Sequence, residues 1–392
     1  MRDAASMKRW SLNRRTIVTV GLAALLAGCS TILPRGTDRA EPVDPTPTPQ
    51  PTEALPTDQT RHRIALLVPM SGRNGPVGQA IANATTMALL DTNASNLRIT
   101  TYDTAKGPEA AARQAITEGN KLILGPLLGS NIPSVLAPAR AADVPVISFS
   151  NDTGAAGPDV FIMGHIPEQS IMRTVEYARE RGSQNFAIIA PDGAYGARSE
   201  EAMRRAVSAY GGTVVWTERY ARGNTSVVSA AERLKAHGGF DTVLIADGPR
   251  LAAQAAGVLS PGGGGATQLL GTELWSGEGS ITRASALQGA LFSAVSDDRY
   301  KRFVDSYEAR FGSQPYRIAT LGYDAVLLTL RVARDWRVGR DFPDRALRTR
   351  DGFLGLDGAF RFGRDGLVER AFEVREVRDG TVVIVDNAPT RF

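Results

Sequence analysis

From Arg63 onward, short uninterrupted apolar runs alternate with stretches whose apolar residues recur at helical spacing. Arg63 to Val68, Leu97 to Tyr102, Lys121 to Leu124 and Val144 to Ile147 read as strands. Gly75 to Leu90, Glu109 to Glu118 and Asn131 to Ala142 read as the helices between them. Strands this short and this apolar must be covered on both faces, which is the condition of a parallel sheet built from strand–helix–strand units. The rhythm restarts near Glu168. Gln169 to Arg181, Ala197 to Tyr210, Val227 to Ala236 and Arg250 to Leu259 are helical. Phe186 to Ala190, Thr213 to Trp216, Thr242 to Ala246 and Gln268 to Leu270 are strands. Asp297 to Phe311 and Ile318 to Trp336 then follow as helices. The tail closes on strand-like Gly358 to Phe362, Phe372 to Glu376 and Thr381 to Val385. Asp365-Gly366 and Asp379-Gly380 between those runs are hairpin signals. So long a folded stretch exceeds one hydrophobic core, and two lobes are expected.

The amino terminus is of another kind. Arg2, Lys8, Arg9, Arg14 and Arg15 precede an uncharged apolar run, Thr16 to Ala27, and then Leu26-Ala27-Gly28-Cys29. This is the order of a secretory signal peptide, and an apolar run of roughly 12 residues is too short to span a bilayer. Leu-Ala-Gly-Cys resembles the lipobox of bacterial lipoproteins. The resemblance implies cleavage before Cys29 and acylation of its thiol and new amino group, and several acyl chains together hold firmly. Ser30, where an Asp would favour retention, implies delivery to the periplasmic face of the outer membrane. Cys29 is the chain's single cysteine, so no thiol remains for a disulfide, a cluster or a nucleophile. Residues 29–60 alternate Pro with Thr, Asp, Glu and Gln and have almost nothing apolar to bury, so they read as a Pro-rich tether.

The net charge of +4 belongs to the leader, because residues 1–28 hold five basic groups and one acid. The rest of the chain is neutral, which argues against nucleic acid as a partner, and no Lys/Arg-rich run with interleaved aromatics appears. None of His62, His165 and His237 has a metal-ligand neighbour four residues on, and no hydrolase, phosphate-loop or dinucleotide motif occurs. Gly262 to Gly265 reads as a loop. Trp216, Trp275 and Trp336 read as core or cleft packing. The chain reads as non-catalytic, with neither cofactor nor metal.

Several segments, in order, resemble the type I periplasmic binding fold of leucine-binding-like proteins. They are Ile64 to Gly72 (IALLVPMSG), Ile123 to Ser130 (ILGPLLGS), Val144 to Asp152 (VPVISFSND), Tyr195-Gly196 and Leu321 to Ala325 (LGYDA). Ser71 to Asn74 with Val77 to Ile81, together with Ile147 to Asp152, resemble more narrowly the penicillin-binding protein activator lipoproteins. Well-known members of that group carry a helical repeat domain where this chain has its Pro-rich segment.

The resemblance implies an α/β fold of two lobes, each a mainly parallel sheet flanked by helices, with a C-terminal antiparallel hairpin. The domain would cover 61–392, with one lobe at about 61–163 and 295–345 and the other at about 164–294 and 346–392. It also implies a cleft at the carboxyl ends of the strands, where open α/β sheets bind ligands. Ser71, Ser130, Asn131, Ser148, Ser150, Asn151 and Asp152 would line it on one lobe, and Tyr195, Asp247 and Glu273 on the other. Ser130 and Asn131 would cap a helix whose free N–H groups favour an anion. Ser, Asn and Asp after a strand are equally the residues that build ordinary caps and turns. Two functions follow from the resemblance. One is an outer-membrane lipoprotein that binds and activates a bifunctional peptidoglycan synthase. The other is a lipid-anchored receptor of an ABC transporter, taking an amino-acid-like ligand, with Glu273 facing its ammonium.

Overall fold

The computed structural model describes residues 60–223, 226–260 and 267–389. The leader, Cys29, the Pro-rich segment and the Gly262–Gly265 loop lie outside them.

The first lobe is built on five parallel strands. These are β1 (His62–Val68), β2 (Leu97–Asp103), β3 (Ile123–Leu124), β4 (Val146–Ser148) and β5 (Val160–Ile162), in the order β2-β1-β3-β4-β5. Helices α1 (Gly75–Asp91), α2 (Pro108–Thr117) and α3 (Ile132–Ala141) connect them, each with a proline in its first two positions. A proline there loses no intrahelical bond and brings a preset helical φ. Side chains alternate across β1. Ile64, Leu66 and Val68 enter one core with Ile81, Ile147 and Leu321. Ala65 and Leu67 enter the opposite core with Ala112, Val135 and Val146. That double burial is why the strands are apolar without interruption.

The second lobe contains α4 (Pro167–Glu180), β6 (Asn185–Pro191), α5 (Ala194–Tyr210), β7 (Thr213–Tyr220), α6 (Ser226–His237), β8 (Thr242–Ile245), α7 (Pro249–Leu259), β9 (Gln268–Leu270) and β10 (Leu291–Ala294). The chain then returns to the first lobe. Both α8 (Asp298–Phe311) and α9 (Thr320–Ala333) pack on α1, and α9 lies closest. The crossing is close because residue 322 is glycine: a Cβ there would stand 2.6 Å from the Ile81 carbonyl oxygen. A small antiparallel sheet follows, β11 (Phe353–Gly355), β12 (Gly358–Phe362) and β13 (Val368–Arg370). Last come β14 (Glu373–Arg378) and β15 (Thr381–Asp386), a hairpin that joins the second sheet in the order β15-β14-β10-β9-β8-β6-β7. Only the two pairings that β14 makes in this sheet are antiparallel. The expected two-lobed α/β architecture with its terminal hairpin is therefore present.

The lobe boundary differs from the expectation that gave 346–392 to the second lobe. Phe360, Phe362 and Val368 lie in the core of the first lobe, and the Ile162 N–H donates to the Gly366 carbonyl at 2.8 Å. The last crossing between the lobes therefore falls at residues 371–372. The other crossings run from β5 to α4 and from β10 to α8. Among the described residues, no helix is long and apolar enough to cross a membrane.

Buried charge ties these crossings together. Asp357, fully buried, accepts from His165 Nε2 at 2.8 Å, from Arg317 Nη1 at 2.6 Å and from Thr320 Oγ1 at 3.0 Å. Arg370 donates to the Met163 carbonyl at 2.7 Å. Arg375 bonds Glu373 at 2.7 Å and also pairs with Asp297. Burial alone would raise the Asp357 carboxyl, but Arg317, His165 and Arg370 hold it well below the usual carboxylate range. Asp324 beside it goes the other way, raised by burial and then by the charge of Asp357.

Removing one partner of a buried pair leaves the other charge uncompensated. Arg317→Met should lower the unfolding free energy by about 3–5 kcal/mol at pH 7. A depressed carboxyl contributes stability above its unfolded pKa and loses it as pH falls, so the deficit should shrink below about pH 4. Urea titrations at both pH values check this, and an undiminished deficit in acid would contradict it.

Candidate functional site

Because β1 to β5 are parallel, their carboxyl ends, Val68 to Ser148 among them, gather on one side of the first sheet. The loop after β4 is held by its own side chains. Ser148 Oγ donates to the Pro126 carbonyl at 2.9 Å and accepts the Ser150 N–H at 3.1 Å. Ser150 Oγ accepts the Asp152 N–H at 3.0 Å, and Asp152 Oδ1 accepts the Gly154 N–H at 3.2 Å. The neighbouring loop after β3 touches it at Gly129, where a Cβ would lie 2.9 Å from that of Asp152.

Ser148, Ser150 and Asp152 thus stand together, with Ser130 exposed and Asn131 half-buried on the adjoining turn. Asn131 sits at the N-cap of α3 but gives no side-chain cap bond. Asn151 is half-buried in the same loop. Ser71 is engaged elsewhere: its hydroxyl donates to Asp103 Oδ2 at 3.0 Å, while Asp103 Oδ1 takes the Met70 N–H at 2.8 Å. Asp103, at the end of β2, is a residue that sequence reasoning missed.

The second lobe supplies the more chemically pointed cluster. Tyr195 lies in the first turn of α5. Its hydroxyl donates to Glu273 Oε1 at 3.1 Å and lies 3.0 Å from Thr272 Oγ1. The Arg222 guanidinium is 5.7 Å from the centre of the Tyr195 ring, and its Nε donates to Asp247 Oδ2 at 2.8 Å. Tyr220 donates to the same Asp247 oxygen, and Asp247 Oδ1 accepts the Gly248 N–H at 2.8 Å. Trp275, buried, donates from Nε1 to the Asp247 carbonyl at 2.8 Å and so fixes the turn. Arg198 forks onto Glu168 with both bonds at 2.7 Å.

Tyr195, Asp247 and Glu273 are therefore brought into one neighbourhood. Thr272, Tyr220, Arg222, Arg198 and Glu168 had not been anticipated. Arg222 follows β7 just as Asp247 follows β8. It was missed because β7 was read as ending at Trp216, four residues short of its end.

Burial pushes the Glu273 carboxyl up to about 7, with Glu168 adding to the rise and Tyr195 and Arg198 opposing it. Its Oε2 is buried without a hydrogen-bond partner among the described residues. Burial and the charge of Glu273 also raise the Tyr195 hydroxyl well above its ordinary value. An acid in this state can take up a proton or accept a ligand's ammonium. On the first lobe, by contrast, the Ser148 hydroxyl is already donated to the Pro126 carbonyl, while Ser150 Oγ accepts the Asp152 N–H.

The folded Glu273 carboxyl binds its proton more tightly than an unfolded one, so its contribution to stability declines as pH rises from about 4.5 through about 7. Glu273→Gln removes that cost. The variant should gain about 1–3 kcal/mol at pH 8 and almost nothing at pH 4. Denaturant midpoints at the two pH values measure this, and an equal change at both would contradict it.

Comparison with known proteins places these features. The model of the periplasmic binding protein family matches residues 62–381. A stretch of 165 residues is 27% identical to an uncharacterised protein of Rickettsia prowazekii, covering 42% of this chain and 44% of that one. A stretch of 142 residues is 27% identical to the penicillin-binding protein activator LpoA of Glaesserella parasuis, covering 36% of this chain and 24% of the activator. The matched stretches thus span less than half of either relative. Among solved structures, a Rhodospirillum rubrum protein assigned to a branched-chain amino acid ABC transporter superposes with a TM-score of 0.71 at 21% identity, over 83% of this chain and all of its own. A Streptococcus pneumoniae branched-chain amino acid transporter substrate-binding protein, in complex with isoleucine, gives 0.63 at 19% identity, over 84% of this chain and 100% of its own. At these identities the structures establish the fold, type I periplasmic binding, and the family model covers most of the sequence. The chain belongs to the periplasmic binding protein family.

Proposed function

We propose that this chain is a non-catalytic, lipid-anchored protein of the periplasmic face of the outer membrane that binds and stimulates a bifunctional peptidoglycan synthase. The observation that carries the reading is the stretch similar to a penicillin-binding protein activator, in a chain that also has a lipobox at Cys29 followed by Ser30. The first lobe supports it from another side. A receptor that clamps a small zwitterion needs free donors on both walls of its cleft. Ser148 instead donates its hydroxyl to the Pro126 carbonyl of the neighbouring loop. A domain that works by protein contact needs no such donors.

The test is glycan polymerisation and peptide cross-linking by the organism's purified bifunctional synthases, with and without the chain from residue 29 carrying Cys29→Ser. Faster synthesis by one of them is expected. No effect on any synthase, with the domain shown to be folded, would overturn the proposal.

The second reading, a lipid-anchored amino-acid receptor, is favoured by one observation: Glu273 keeps a buried carboxylate oxygen without a partner among the described residues. A ligand at 100 times its dissociation constant would stabilise the domain by about 2.7 kcal/mol. Under the activator reading, thermal unfolding in the presence of each common amino acid should show no such shift. A shift with one of them, abolished by Glu273→Gln, would favour the receptor.

A further inference from the structure

The amino ends of the parallel strands gather at the pole of the first lobe opposite the Ser148–Asp152 wall. Helix α9 ends at this pole. Just beyond it, the Trp336 ring stacks on His62, the first residue of β1, with centroids 3.9 Å apart and planes 18° from parallel. Lys121, two residues before β3, pairs with Asp341 at 2.8 Å. Residues 331–341 therefore lie over the amino ends of the sheet. They carry Arg331, Arg334, Arg337 and Arg340, all exposed, against Asp335 and the already paired Asp341. Among the described residues, none of the four guanidiniums makes a hydrogen bond or ion pair. On a chain that is neutral after its leader, this is a concentration of positive charge, built around a buried tryptophan that fixes it to the sheet.

The same pole is where the chain enters the domain, because Thr60 and Arg61 lead directly into β1. Between Cys29 and this point lie about 30 residues rich in proline. A tether attached at the basic pole keeps that pole, rather than the cleft, at the highest local concentration of the surface holding its far end.

We propose that the arginine pole of the first lobe docks reversibly on an anionic phospholipid surface, the surface to which an acylated Cys29 would hold the chain. Docked in this way, the domain turns its amino-end pole to the headgroups and its cleft and second lobe away from them. The choice of surface rests on the lipoprotein reading, whereas the charge and its placement do not.

The test uses the chain from residue 29 with Cys29→Ser, so that no acyl chain contributes. It is sedimented with vesicles of phosphatidylcholine alone or of phosphatidylcholine mixed with phosphatidylglycerol. Binding to the mixed vesicles only, released by added salt, is the expected result. Affinity should fall roughly fivefold for each arginine removed in Arg331→Gln, Arg334→Gln, Arg337→Gln and Arg340→Gln, as about 1 kcal/mol per basic residue near an anionic surface implies. Arg205→Gln, exposed on the second lobe, should bind as the parent does.

Equal binding to both kinds of vesicle, or none, would overturn the proposal, as would indifference to the four substitutions. The synthase assay without vesicles separates this claim from the activator reading. Variants that still stimulate synthesis but no longer sediment support the lipid surface. Variants that lose stimulation would reassign the pole to the synthase.

Discussion

Parallel pairing of β1 to β5 is the constraint on which the rest depends. Antiparallel neighbours would scatter loop chemistry over both ends of a sheet. Parallel ones send every carboxyl end one way and every amino end the other. The Ser148–Asp152 loop and the arginine pole are therefore opposite ends of one layer. Their separation follows from strand direction and needs no further device. The second lobe obeys the same rule, and Arg222, Asp247 and Glu273 cluster because each follows a parallel strand.

Three chain crossings join the lobes, and the charged groups at them are buried or half-buried. His165, Asp297, Arg370 and Arg375 lie on or beside the crossings, while Asp357, Arg317 and Asp324 come from the first lobe. A buried carboxylate is costly unless it is paired, and Asp357 accepts from His165, Arg317 and Thr320.

Much of this was legible in the chain. The strands and helices of both lobes followed from period and run length, and the terminal hairpin from its Asp-Gly turns. Strands β5 and β10 were not, because three or four residues leave no period to read. The return of 353–370 to the first lobe was also hidden, since alternation tells that strands pair but not onto which core they fold. Tyr195, Asp247 and Glu273 were legible only as polar residues that follow strands. Arg222 was lost to a misplaced strand end, and Asp103 was passed over. The buried network joins residues up to 207 positions apart and leaves no local trace. The arginine pole was overlooked for a different reason. Val, Ala and Gly separate its charges, so residues 331–340 look like the end of a helix until Trp336 is seen against His62.

The central claim is that this periplasmic binding domain acts by touching another protein. The most direct measurement is equilibrium binding between the unacylated chain and each purified bifunctional synthase, in buffer free of amino acids. The account predicts a saturable complex with one synthase, undiminished in Glu273→Gln. The absence of a complex with every synthase, from a folded chain that an amino acid stabilises, would contradict it.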